Sequence, residues 1–266
     1  MSEDLIHYRV EDGVAVIELH APPANTYTYE MNRALDTAIL DARMDDDVHV
    51  IVLRGAGEKF FSAGADIRML DAVTPGFKYY FCLHANETLN RLEQTPKLVI
   101  AAMNGHCVGG GLEIAMAADI RIARKGAGKC GLPEVSLGVL PGTGGTQRLS
   151  RLVGKSKSIE LMIEGKLFDF EEAERLGIVN QVWEDGQDGV VWWDRVMNYA
   201  RSFCPPSRAS RAVGGIKRAV QTGWEIPFES ALALERELQQ QLFQSEDARE
   251  GIGAYNEKRK AQFAGK

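Results

Sequence analysis

The chain has 266 residues, 45% of them hydrophobic and 26% charged, with a net charge of −6. A disordered chain would carry fewer apolar residues and more net charge, and a general nucleic-acid binder would need a basic field. The length fits one large domain, or a domain with an appendage, that buries its core without disulfide staples.

The first elements read as β. His7 to Val10 and Val14 to Leu19 flank the turn tripeptide Glu11-Asp12-Gly13, which predicts an antiparallel hairpin. Pro22-Pro23 breaks the pattern. From Tyr29 to Met44, apolar residues at 31, 34, 35, 38, 39 and 42 form a helical stripe. Val48 to Leu53 is a short apolar run of the kind buried on both faces of a parallel sheet. A loop bracketed by Gly55, Gly57 and Gly64 follows, then a helix from about Phe77 to Glu93 that Pro96 ends. Leu98 to Met103 is a second buried strand, Leu112 to Ala118 is helical, and Asp119 to Ala123 is a strand. Strands alternating with helices predict an α/β fold with largely parallel pairing.

Beyond about residue 195 the β signal disappears. Leu234, Leu238 and Leu242 mark a helix with one apolar face. Ser245, followed by acidic residues, is the N-cap of a final helix whose end carries Lys258-Arg259-Lys260. The chain therefore divides into an α/β core over 1–195 and a helical region over 196–266.

The N-terminal MSEDLIHYRVEDG has neither the basic nor the apolar region of a signal peptide, and no apolar run reaches the ~20 residues of a membrane span. Cys82, Cys107, Cys130 and Cys204 form no metal-ligand pattern and read as reduced, buried thiols. These features predict a cytoplasmic protein with no metal and no membrane or nucleic-acid partner.

Glycine is in excess, 27 residues, about a tenth of the chain against a typical ~7%. Asn104-Gly-His-Cys-Val-Gly-Gly-Gly-Leu-Glu113 lies between a buried strand and a helix. Three glycines there permit close backbone approach and leave helix-start N–H groups free for a phosphate or a developing oxyanion. Taken alone, a triple glycine is better explained by tight strand-to-helix packing with no ligand. The segment has no Gly-x-Gly-x-x-Gly spacing, and Gly154-Lys155-Ser156 fails as a phosphate loop because Leu149 stands where that loop needs glycine. Pro141-Gly-Thr-Gly-Gly-Thr-Gln147 reads as a turn and helix start capped by Thr143 or Thr146.

Glu113 and Glu134 stand in apolar surroundings, which suits proton transfer near neutral pH. They lie on different elements, so spacing cannot bring them together, and two convergent carboxylates also serve glycoside hydrolysis.

Ile100-Ala-Ala-Met-Asn-Gly-His-Cys-Val-Gly-Gly-Gly-Leu-Glu-Ile-Ala-Met-Ala-Ala-Asp119 resembles the signature segment of the enoyl-CoA hydratase/isomerase (crotonase) superfamily. Phe61-Ser-Ala-Gly-Ala-Asp-Ile67 is similar to that family's first oxyanion-hole loop. Leu132 to Arg148 is similar to its second catalytic segment, and Ser245 to Arg259 to its C-terminal helix. The resemblance spans nearly the whole chain in order.

It implies a crotonase-like spiral of ββα units, a C-terminal α-helical trimerisation region, and a homotrimer or homohexamer. It implies a coenzyme A thioester substrate, with coenzyme A part of the substrate and no separate cofactor. The N–H groups of Ala65 and Gly110 would then form the oxyanion hole. Ala63, Gly64, Asp66, Ile67 and Gly109 would line the substrate and coenzyme A site, and Lys258 and Phe263 would close a neighbouring subunit's site. Hydratases of the family carry Glu at both acidic positions, so Glu113 and Glu134 imply an enoyl-CoA hydratase, a hydro-lyase. An isomerase, a hydratase of a branched acyl-CoA such as a methylglutaconyl thioester, and a non-catalytic RNA-binding member are the alternatives.

His106, Leu112 and Ala261 depart from the family pattern, and the interval between the two glutamates is one residue longer than usual, within Arg124 to Cys130. Acyl specificity is expected from Leu70 to Leu92, where Phe77, Tyr79, Tyr80 and Phe81 would form a wall, and from Trp224.

Overall fold

The computed structural model describes residues 5–184, 186 and 190–266, so the acidic residues 1–4 of the N-terminal reading lie outside the described residues. The chain opens with the hairpin β1 (Ile6–Glu11) and β2 (Val14–Leu19), then α1 (Tyr29–Met44), β3 (Val50–Gly55) and β4 (Phe60–Ser62). Helices α2 (Ile67–Ala72) and α3 (Pro75–Gln94) lead to β5 (Leu98–Met103), β6 (His106–Val108) and α4 (Gly110–Met116). Next come β7 (Ile120–Arg124), β8 (Lys129–Gly131), a 3-10 turn (Glu134–Leu137), α5 (Gly145–Val153) and α6 (Lys155–Glu164). The order finishes with β9 (Phe168–Asp169), α7 (Phe170–Arg175), β10 (Gln181–Trp183), α8 (Trp192–Arg201), α9 (Ser210–Gly223), α10 (Phe228–Phe243) and α11 (Glu246–Asn256).

The larger sheet has the order β1-β2-β3-β5-β7-β10, antiparallel only in its first pair. Val16 pairs with Val52, and Val52 with Ile100. Alternation along the strands feeds two cores. Ile17, Leu53 and Val99 face α1 and α3, while Val16, Val52 and Ile100 face α8 through Val196 and Met197. Burial on both faces is why Val50 to Leu53 of β3 and Leu98 to Met103 of β5 read as unbroken apolar runs.

The second sheet, β4-β6-β8-β9, continues the loops that leave the first. Asn104 ties the two together: its Oδ1 accepts from the Gly55 N–H at 3.0 Å and its Nδ2 donates to the Gly57 carbonyl at 2.8 Å. The small sheet thereby carries the β4 and β6 exits side by side over the N-terminus of α4. The interval from Arg124 to Cys130 forms the β7–β8 turn, where Gly126 takes φ 68°.

The predicted elements stand with shifted ends. The glycines themselves open α4, which starts at Gly110 rather than Leu112 and stops at Met116. Helix α11 is capped by Ser245, whose hydroxyl accepts from the Ala248 N–H at 3.0 Å. It ends at Asn256, so Lys258-Arg259-Lys260 lies past its last turn, and Arg259 instead reaches back to Glu250. Thr143 and Thr146 do not cap α5: its N-cap is Gly144, with no side-chain cap bond.

Candidate active site

Two loops meet above the N-terminus of α4. Tyr27 bridges in parallel fashion to Ala65, its N–H donating to the Gly64 carbonyl at 2.9 Å and its carbonyl accepting from the Asp66 N–H at 3.0 Å. A Cβ on Gly64 would sit 3.1 Å from the Gly110 nitrogen and 2.9 Å from the Val108 oxygen, so the two loops are in contact.

Each member of the triple glycine is needed for this fit. Gly109 has φ 56°, and a Cβ there would lie 3.0 Å from Glu134 Oε1. At Gly110 a Cβ would fall 2.2 Å from the Tyr27 ring, and at Gly111 2.4 Å from the Ser62 carbonyl. Close packing is therefore real, and it is also what brings the two loops' N–H groups together.

Four of the backbone donors around the two loops are already committed to protein acceptors. The Ala63 N–H donates to the Ala24 carbonyl, the Gly64 N–H to Ser62 Oγ, the Asp66 N–H to Tyr27 and the Gly109 N–H to the Gly131 carbonyl. Among the described residues, the N–H groups of Ala65 and Gly110 have no protein acceptor. Buried N–H groups are normally paired, and the Gly110 N–H is also at the positive end of a helix.

Both glutamates line the same cavity, of about 590 Å³, with Ala63, Gly64, Ala65, Ile67, Gly109 and Gly110. Glu113, in the first turn of α4, is 1% exposed. Its Oε1 accepts from the Thr143 N–H at 2.8 Å and the Gly145 N–H at 2.7 Å, and its Oε2 accepts from the Thr143 hydroxyl. Glu134 opens the 3-10 turn, and its Oε2 is buried with no hydrogen-bond partner. Burial first, and then the nearby charge of Glu113, push its pKa up to about 7 against the opposing pull of its own backbone N–H and of Lys78. One carboxyl is thus held by three donors, and the other carries a proton near neutrality.

The remaining expected positions divide. Asp66 does not line the cavity: its carboxylate caps α2, accepting from the Met69 N–H at 2.9 Å. Lys258 and Phe263 are also away from this chain's cavity. Phe263 and Trp224 line a separate cavity of about 790 Å³ between α4 and α9, so Trp224 does not reach the acyl pocket. Leu70, Val73, Thr74, Pro75 and Lys78 do line it, but the aromatic run does not: Phe81 is buried against Tyr27, and Phe77, Tyr79 and Tyr80 are exposed. His106 is structural, its Nδ1 accepting from the Lys129 N–H. The sequence reading missed Thr143 as a partner of Glu113, because a threonine before a helix signals a cap and nothing local reveals a carboxylate thirty positions upstream.

The family model described as enoyl-CoA hydratase/isomerase matches residues 9–266. The chain belongs to the enoyl-CoA hydratase/isomerase family. It is 39% identical over 255 residues to a short-chain-enoyl-CoA hydratase of Clostridium acetobutylicum, covering 95% of this chain and 94% of that one. It is 32% identical to the mitochondrial methylglutaconyl-CoA hydratase of Homo sapiens, over 95% of this chain and 74% of that one. A crystal structure of an enoyl-CoA hydratase from Geobacillus kaustophilus superposes with a TM-score of 0.94 at 44% identity, covering 100% of this chain and 98% of the other. The spiral fold with C-terminal helices is the family's. Among the described residues, no helix is long and apolar enough to cross a membrane.

Proposed function

We propose that this family member hydrates 2-enoyl-CoA thioesters, adding water across the 2,3 double bond to give 3-hydroxyacyl-CoA. One observation carries the reading: two unpaired N–H groups, Ala65 and Gly110, open into the same cavity as two carboxyl groups held in opposite ways. The thioester oxygen sits between the two N–H donors, which stabilise the negative charge as it moves onto that oxygen. Preorganised donors of this kind contribute roughly 3–4 kcal/mol each. Glu113 accepts a proton from water as its oxygen attacks the β-carbon, and the protonated Glu134 delivers a proton to the α-carbon. The proton gained by Glu113 then replaces the one lost from Glu134, so no net proton is consumed.

Coenzyme A enters as part of the substrate, with no separate cofactor or metal, and its pantetheine arm runs along the Ala63 to Ile67 backbone. Exposed Ile216, Val220, Trp224 and Phe228 on α9 and its junction with α10 support a homotrimer or homohexamer. In that assembly Lys258 and Phe263 would contribute to a neighbour's site. A cytoplasmic role in fatty-acid β-oxidation belongs to the same reading.

Lys78 favours a second reading of acyl preference, a carboxylated thioester of the methylglutaconyl type. Among the described residues it is the one cation lining the cavity, and it makes no ion pair. Turnover of straight, branched and carboxylated enoyl-CoAs separates the two. Crotonyl-CoA hydration supports the first reading. Double-bond migration without hydration would replace it with an isomerase.

A further inference from the structure

Thr143 lies in the segment between the 3-10 turn and α5, is 2% exposed, and holds Glu113 twice. Its N–H donation needs no particular side chain. Its hydroxyl donation does, because only Ser or Thr at this position places an O–H there. The direction of the hydroxyl bond is fixed by its surroundings. The Tyr27 hydroxyl is 3.5 Å from Thr143 Oγ1, and burial, then the charge of Glu113, raise the Tyr27 phenol well above its ordinary value, so it remains a neutral donor. Thr143 donates its single O–H to Glu113, so its oxygen is left to accept from the Tyr27 hydroxyl.

The Thr143 peptide is itself anchored. Arg148 Nη1 donates to the Thr143 carbonyl at 3.1 Å, and the same guanidinium grips Glu93 of α3 through Nε at 2.9 Å and Nη2 at 2.6 Å. Helix α3 thus fixes the threonine, and the threonine fixes the carboxylate. The Gly145 N–H shares Glu113 Oε1 with the Thr143 N–H and closes the set at 2.7 Å.

We propose that the Thr143 hydroxyl is a positioning group for the hydration reaction: with Arg148 as its anchor, it fixes the Glu113 carboxylate in the orientation that accepts the water proton. The inference rests on the hydratase reading for its effect on turnover, but the hydrogen bond it invokes is testable without turnover.

The variants are Thr143→Val, which keeps the shape and removes the donor, Thr143→Ala, and Thr143→Ser, which restores the donor. A lost hydrogen bond to a charged group corresponds to a fall of about 10- to 100-fold. That fall is expected in kcat for Thr143→Val and Thr143→Ala, with KM for the enoyl-CoA changed less than about 3-fold and most of kcat recovered in Thr143→Ser. In parallel, a crystal structure of Thr143→Val should show the Glu113 carboxylate turned from its wild-type orientation, because Oε2 has lost its hydroxyl donor. Wild-type kcat in a folded Thr143→Val protein, or a Glu113 carboxylate that keeps its wild-type orientation there, overturns the inference. Should the wild-type chain hydrate no enoyl-CoA, the hydratase reading falls and the Thr143→Val structure still decides the role of Thr143.

Discussion

Glu113 accepts three protein hydrogen bonds, while Glu134, lining the same cavity, has a buried Oε2 with none. The asymmetry follows from the segments around them. The turn at Pro141 to Gly145 delivers two N–H groups and a hydroxyl to Glu113, whereas Glu134 projects over Gly109, whose missing Cβ leaves room for it but supplies no donor. Two like residues therefore take different parts in proton transfer.

This difference fixes a pH dependence. Glu134 is protonated below about pH 7 and loses its proton above it. Hydration that needs the protonated form should therefore lose kcat/KM as the pH rises through about 7. The Lys78 charge opposes the upward shift, so Lys78→Met removes a stabiliser of the ionised form and should move this alkaline limb to higher pH. Initial rates from pH 5 to 9 on the two proteins, roughly the range over which such a group titrates, would show it.

Gly110→Ala should lose both activity and stability. The new methyl would lie 2.2 Å from a Tyr27 ring that is itself packed on Phe81. Overpacking a rigid site costs about 1–3 kcal/mol or more, and moving Tyr27 or α4 displaces the Gly110 N–H. Gly253→Ala on α11 is the matched control, since a Cβ there meets nothing within 4 Å. That control should leave turnover intact and raise stability by up to ~1 kcal/mol, as read by thermal unfolding.

The positions that were legible from the sequence are those whose reasons are local. Leu53 and Ile100 announce two-faced strands because burial on both sides leaves no polar residue from Val50 to Leu53 or from Leu98 to Met103. The three glycines were visible as a cluster, but their cause was not. That cause is contact with Tyr27, Ser62 and Glu134, all from other segments. Trp224 was expected to help set acyl specificity, yet it stands at the C-terminus of α9 beside a different cavity, a placement that no local pattern reveals. Asp66 matched a substrate-loop motif, and the α2 it caps was unseen because a six-residue helix has too few turns to show a periodicity.

The C-terminal helices are fastened to the sheet by one buried ion pair. Lys217 of α9 lies 2.9 Å from Asp119 and also donates to the carbonyls of Leu92 and Lys97, while Asp119 accepts from the Val99 N–H. Burial raises the Asp119 pKa and lowers that of Lys217, each opposed by the other's charge. Lys217→Met leaves Asp119 buried and unpaired, which should cost about 3–5 kcal/mol in denaturant unfolding. Adding Asp119→Asn should recover part of that loss, because the double variant no longer buries a lone charge.

Hydration at this site requires that the proton held by Glu134 reach the α-carbon of a bound enoyl thioester. Crotonyl-CoA hydration, followed by loss of the conjugated thioester's absorbance in wild type and Glu134→Gln, measures that transfer. A fall in kcat of roughly 100- to 10,000-fold is expected, with the thioester still bound through Ala65 and Gly110. A Glu134→Gln protein that hydrates crotonyl-CoA at the wild-type rate would contradict it.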